Sequence, residues 1–228
     1  MNIKLNYYKK IIKLKKKFNF NDFDLITNYG LFSGDTNLFK TLTIYSLLMK
    51  TKLVKGEIIE LGIHKGNTSL LIKKILDLFK INKKLYLLDH FKGLLHYERK
   101  DTKWSLTQRG KYVGKKKQIA AFIKYFKFKN IKFIDKDATT LTKEFFNDKL
   151  KFSLAYFDMD LYLPTLKGLL AIDKNISLGG YIVFDQGAKK NWSERLAIEE
   201  FLKYNKKYKK IIIDHKRQPD VILKKIRN

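Results

Sequence analysis

The chain has 228 residues, 45% of them hydrophobic, enough for one α/β domain with a buried core and too apolar for a disordered chain. Without cysteine it builds neither a disulfide framework nor a zinc–thiolate site, and no stretch nears the roughly 20 apolar residues of a membrane-spanning helix. The formal charge of +27 invites a polyanion, but only five of the 49 basic residues are arginine, the side chain that reads phosphates and bases bidentately.

Lysine here accompanies abundant Ile, Asn, Tyr and Phe, as AT-rich coding produces. The charge is therefore read as coding bias that still permits non-specific polyanion binding. Lys9, Lys10, Lys13 and Lys15 cut the apolar residues of the N-terminus into short pieces, so no signal-peptide core is expected there. A cytoplasmic location follows as the default, and self-association is left open.

Residues 1–52 read as an N-terminal helical, lid-like segment packed on a catalytic core of residues 53–228. Ile3, Tyr7, Ile11, Leu14 and Phe18 give residues 1–20 a partly amphipathic pattern, residues 22–35 are less regular, and Thr36 to Thr51 has helical periodicity. From Lys55 onward, strands are predicted at Glu57–Leu61, Leu85–Asp89, Ile131–Asp135, Ser153–Asp158, Tyr181–Asp185, Lys210–Asp214 and Val221–Lys225. Helices are predicted over about 67–80, 115–128, 140–148, 163–175 and 193–205. Near-continuous apolar strands alternating with helices imply an α/β fold, a mostly parallel seven-stranded sheet with helices on both faces. The last two strands are joined too closely for a crossover helix and must form an antiparallel C-terminal hairpin.

An open parallel sheet binds ligands beyond the carboxyl ends of its strands. The first strand runs there into Glu60-Leu61-Gly62-Ile63-His64-Lys65-Gly66-Asn67-Thr68. Gly62 suits a tight turn and Gly66 a close backbone approach to a ligand, but the spacing is not that of dinucleotide enzymes, and alone it equally fits an ordinary turn. Asp89, followed by His90, ends the second strand, where an acid accepts both hydroxyls of an adenosine ribose or else caps a helix. Asp137, followed by Ala138, lies beyond the third strand. Asp158 and Asp185 end neighbouring strands, and with the Gln186 amide they make a part-shell for Mg²⁺ or Mn²⁺. Asp160 and Ser193 are each read as helix caps. Trp104, Arg109 and Tyr112 lie in a long connection that is either a substrate cover or an exposed loop. His64, His90 and His215 are weaker candidates for a second base.

These motifs together resemble the macrocin O-methyltransferase family, Rossmann-like class I S-adenosylmethionine-dependent methyltransferases, over most of the chain from Gly34 onward. The resemblance is carried by Glu60 to Gly66, by Leu88 to Leu94, by Phe157-Asp158-Met159-Asp160-Leu161-Tyr162 with Thr165, and by Gly179 to Asp185. It implies S-adenosylmethionine as methyl donor, a sugar or nucleotide-sugar hydroxyl as acceptor, and Mg²⁺ as cofactor. It also implies that Asp158 is metal ligand and general base, and that Glu60, Gly62, His64, Gly66, Asn67, Thr68, Asp89, His90, Asp137, Ala138 and Asp158 surround the donor. The family usually has two acids where Asp185 and Gln186 stand, and often serine at His90. An RNA methyltransferase and a degenerate, non-catalytic member are the rival readings.

Overall fold

The computed structural model describes residues 3–214 and 216–227, so His215 lies outside the described residues. Four helices precede the sheet: α1 (Ile3–Phe18), α2 (Asp22–Thr27), α3 (Tyr29–Phe32) and α4 (Asp35–Thr51). Leu14 and Phe18 of α1 stay exposed, whereas α4 turns Ile44, Leu47 and Leu48 into the core. The rest alternates as β1 (Glu57–Leu61), α5 (Asn67–Leu78), β2 (Leu85–Asp89), α6 (Lys103–Leu106), α7 (Lys116–Tyr125), β3 (Ile131–Asp135), β4 (Phe152–Phe157), α8 (Tyr162–Ile172), β5 (Ile176–Phe184), α9 (Ser193–Tyr204), β6 (Tyr208–Ile212) and β7 (Val221–Lys225).

The seven strands lie in the order β3-β2-β1-β4-β5-β7-β6. The first five are parallel, and β7 runs antiparallel between β5 and β6. Alternate residues of one strand feed opposite cores: Ile59, Ala155 and Ile182 face α8 and α9 with Leu169 and Phe201, while Ile58, Leu154 and Val183 face α4 and α5 with Ile44 and Ile72. Burial on both faces is what makes the strand sequences read as continuous apolar runs.

Chain order reverses between β1 and β4, and the register makes their ends level. Leu88, Leu61, Phe157 and Phe184 are mutual neighbours across β2, β1, β4 and β5. The next residue of each strand, Asp89, Gly62, Asp158 and Asp185, therefore stands on one rim at the switch point, where ligands of such sheets bind.

Three expected elements differ. No α-helix forms over 140–148: a 3₁₀ turn at Ala138–Thr140 leads into tight turns, closed by Phe145 N–H to the Thr142 carbonyl and Leu150 N–H to that of Asn147. The Asn147 side chain accepts the Lys149 N–H at 2.8 Å, a local bond that competes with helix, while Leu141 and Phe146 still reach the core. Strand β5 starts at Ile176, because Gly179, at φ +77°, carries the chain through an irregularity instead of ending it. Strand β6 ends at Ile212, and Asp214 instead accepts the N–H groups of Lys216 and Arg217 in the turn to β7.

Candidate active site

A cavity of about 840 Å³ opens over this rim. Gly62, His64, Asp89, His90, Asp137, Ala138, Asp158, Asp185 and Gln186 line it, as expected, and Lys40 reaches it from α4. Glu60 in β1, Gly66 at the start of α5, and Asn67 and Thr68 in its first turn are not on the cavity wall.

In that turn Gly62 has φ +85°, and a Cβ there would lie 2.0 Å from the Asp158 carbonyl oxygen, so only glycine fits. Gly66 starts α5 at φ +79° against Ile119. Asp89 Oδ2 accepts the N–H groups of Ile63 (2.7 Å) and His64 (3.1 Å), and Oδ1 accepts that of Phe91 (2.6 Å). Asp89 thus braces the glycine turn from the neighbouring strand while still facing the cavity. Glu60, 1% exposed, accepts the Ser69 hydroxyl, and burial pushes its carboxyl up to about 8. Asp137 accepts the N–H and the hydroxyl of Thr139 and contacts His96. Burial works against its charge, but these partners outweigh burial and hold it below the ordinary aspartate range.

The other half of the cavity centres on Asp158 and Asp185. The Tyr156 hydroxyl donates to Asp185 Oδ1 at 2.6 Å. Lys40 Nζ donates to the same oxygen at 2.8 Å, stands 3.8 Å from Asp158 Oδ2, and lies 5.2 Å from the centre of the Tyr156 ring. Burial opposes the ammonium, yet the Asp185 and Asp158 charges outweigh it and hold Lys40 above the ordinary lysine range. Burial first, then the Asp185 charge, pushes the Asp158 carboxyl up. Its side chain is 31% exposed, so water in the cavity tempers that push.

These residues do not fit Mg²⁺ as they stand. Both lone pairs of Asp185 Oδ1 are engaged by Tyr156 and Lys40, and the ammonium is within reach of both carboxylates. Among the described residues, no three His, Cys, Asp or Glu side chains group closely enough to hold a metal.

Glu194, not singled out in the sequence, ties the two strand ends together. It is 1% exposed; Oε1 accepts the N–H groups of Met159 (2.8 Å) and Asp160 (3.1 Å), and Oε2 accepts that of Gln186 (3.2 Å). Burial pushes its carboxyl up, and the Met159 N–H bond pulls it down. Two expected caps are corrected. Leu161, not Asp160, precedes α8, and it is Asp101 that accepts the Tyr162 N–H at 2.8 Å, because Asp160 sits at φ +60° and its backbone is held by Glu194. Ser193 is the first residue of α9 rather than its cap, and its hydroxyl accepts the Thr102 N–H (3.0 Å) and bonds Ser105 (2.7 Å).

Those contacts anchor the long connection after β2. Trp104 and Trp192 line the cavity edge to face, 4.8 Å apart, and Tyr112 meets His64 at 5.4 Å. Arg109 lies over Tyr97, off the cavity wall. Lys40 carried a signal in the sequence: it falls on the α4 stripe of Ile44, Leu47 and Leu48, where an apolar residue is due. Glu194 showed only as an acid in the first turn of a helix, a common pattern.

The model of the macrocin-O-methyltransferase (TylF) family matches residues 40–216. Among solved structures, calicheamicin methyltransferase CalS11 superposes with a TM-score of 0.78 at 18% identity, covering 96% of this chain and 91% of that one. Apo CalS11, described as a TDP-rhamnose 3'-O-methyltransferase, gives 0.67 at 18%, covering 96% and 93%. The O-methyltransferase NovP gives 0.71 at 18%, covering 82% and 80%. No curated protein is significantly similar in sequence. Among the described residues no helix is long and apolar enough to cross a membrane.

Proposed function

Because the chain belongs to the macrocin O-methyltransferase family, we propose that it moves a methyl group from S-adenosylmethionine to a sugar hydroxyl. The observation that carries this reading is the meeting of the braced Gly62 turn and the Asp158–Asp185 pair in one cavity. Only glycine lets the chain turn this close to the Asp158 backbone, and Asp89, His90 and Asp137 give the cavity polar edges for an adenosine. When bound, S-adenosylmethionine supplies a methyl group on a sulfonium.

The chain's own residues then have separate tasks. The Gly62 turn, braced by Asp89, and His64 hold the donor beside Asp158. Trp104, Tyr112 and Trp192 offer aromatic faces to a sugar ring and exclude water. Asp158 accepts the proton of the acceptor hydroxyl, a role suited by a carboxyl whose hold on a proton is strengthened by burial and by the Asp185 charge. Positioning the two reactants together supplies much of the acceleration. A nucleotide-linked sugar is the favoured acceptor class: CalS11 is a TDP-rhamnose 3'-O-methyltransferase, and Lys189 and Lys216 put positive charge on the cavity wall.

Calorimetry with S-adenosylhomocysteine tests the donor half. Saturable binding at one site is expected. Absence of binding by folded protein overturns the reading.

A further inference from the structure

We propose that Lys40 is the resident cation of the Asp158–Asp185 pair, and that its ammonium does the balancing a divalent metal would otherwise do. The inference rests on the methyl-transfer reading and concerns what accompanies the two carboxylates during it.

The placement of Lys40 is the first argument. It occupies the core-facing stripe of α4, one turn before Ile44, where a lysine is tolerated only if its charge is matched. The match is specific: Asp185 at 2.8 Å, Asp158 at 3.8 Å and the face of Tyr156 beneath. Its side chain is 17% exposed and that of Asp185 8%, so the pair is shielded from competing water.

The donor set points the same way. Mg²⁺ demands a near-octahedral shell of oxygens at about 2.0–2.1 Å. Asp185 Oδ1 is already doubly engaged, and Gln186 brings an uncharged amide whose backbone is tied to Glu194. A dication set there would also face the Lys40 ammonium at short range, a repulsion that the shielded site would not screen.

An ammonium has three N–H donors, of which Asp185 takes one. Lys40 thus brings a fixed positive charge and further donors to the place where the acceptor oxygen gives up its proton. The balance needs no other cation. The oxygen forms a bond to the methyl carbon, the carbon–sulfonium bond breaks with its electron pair going to sulfur, and Asp158 takes the proton.

The test is Mn²⁺ binding, read by the loss of the free-ion signal in electron paramagnetic resonance, on chelator-stripped wild type, Lys40→Met and Asp158→Asn. Wild type should show no saturable binding, and Lys40→Met, which keeps the stem and removes the charge, should acquire it. Saturable binding by wild type that Asp158→Asn abolishes would overturn the proposal. So would a folded Lys40→Met that binds S-adenosylhomocysteine normally yet gains no Mn²⁺ site. Failure of all samples to bind S-adenosylhomocysteine would instead strike the methyl-transfer reading itself.

Discussion

The Asp158 carbonyl oxygen lies 2.0 Å from where a Cβ on Gly62 would sit, so the turn after β1 and the end of β4 are in direct backbone contact. Gly62→Ala must either push β4 away or abandon φ +85°. The strain alone is worth about 1–3 kcal/mol. Denaturant unfolding should fall by at least that amount, and S-adenosylhomocysteine binding should be lost with it. An alanine variant of unchanged stability and affinity would show that the turn yields.

Asp89 holds three N–H groups of the turns it borders. Asp89→Ala should weaken donor binding by about 1.5–3 kcal/mol, the range for hydrogen bonds to a charged group, and should cost stability as well. Calorimetry beside urea unfolding separates the two effects. Unchanged affinity in a destabilised variant would leave Asp89 as a brace of the turn and nothing more.

Glu194→Gln is nearly isosteric, but an amide cannot accept at both positions. One NH₂ must then face the N–H of Gln186 or those of Met159 and Asp160. A cost of about 1–3 kcal/mol is expected from the unmet donor. If Glu194 aligns Asp158 with Asp185, kcat should drop while the KM for the donor barely moves. Equal changes in both would reduce Glu194 to a structural role.

Stability should depend on pH through Glu60. Its folded carboxyl is pushed up to about 8, from 4.5 when unfolded, so the native state keeps a proton that the unfolded chain releases between those values. Stability should therefore decline from about pH 4.5 to about pH 8 and level off above. Asp220, pushed up to about 7 by burial, adds to the same slope. Urea unfolding across this range should show a shallower decline in Glu60→Gln. An identical slope in the variant would assign the effect elsewhere.

The sequence carried the sheet well because its strands, buried on both faces, are nearly pure apolar runs, and because rim acids such as Asp89, Asp158 and Asp185 stand out against so basic a chain. Local signals failed where tertiary contacts decide. Residues 140–148 read as a helix, yet Leu141 and Phe146 fill the core from turns. Asp160 looked like a cap, but Glu194, 34 residues on, fixes its backbone. Lys40 is 145 residues from Asp185, so only the folded chain brings the ammonium to the carboxylates.

Methyl transfer to a sugar is directly measurable. The direct measurement is incubation of purified protein with methyl-labelled S-adenosylmethionine and two acceptor pools, nucleotide-diphosphate sugars and structured RNA, at physiological salt. Label should enter the sugar pool, Asp158→Asn should abolish it, and RNA should bind only at low salt, as counterion release dictates for a merely basic surface. Label in RNA, or in neither pool from protein that binds S-adenosylhomocysteine, would contradict the account.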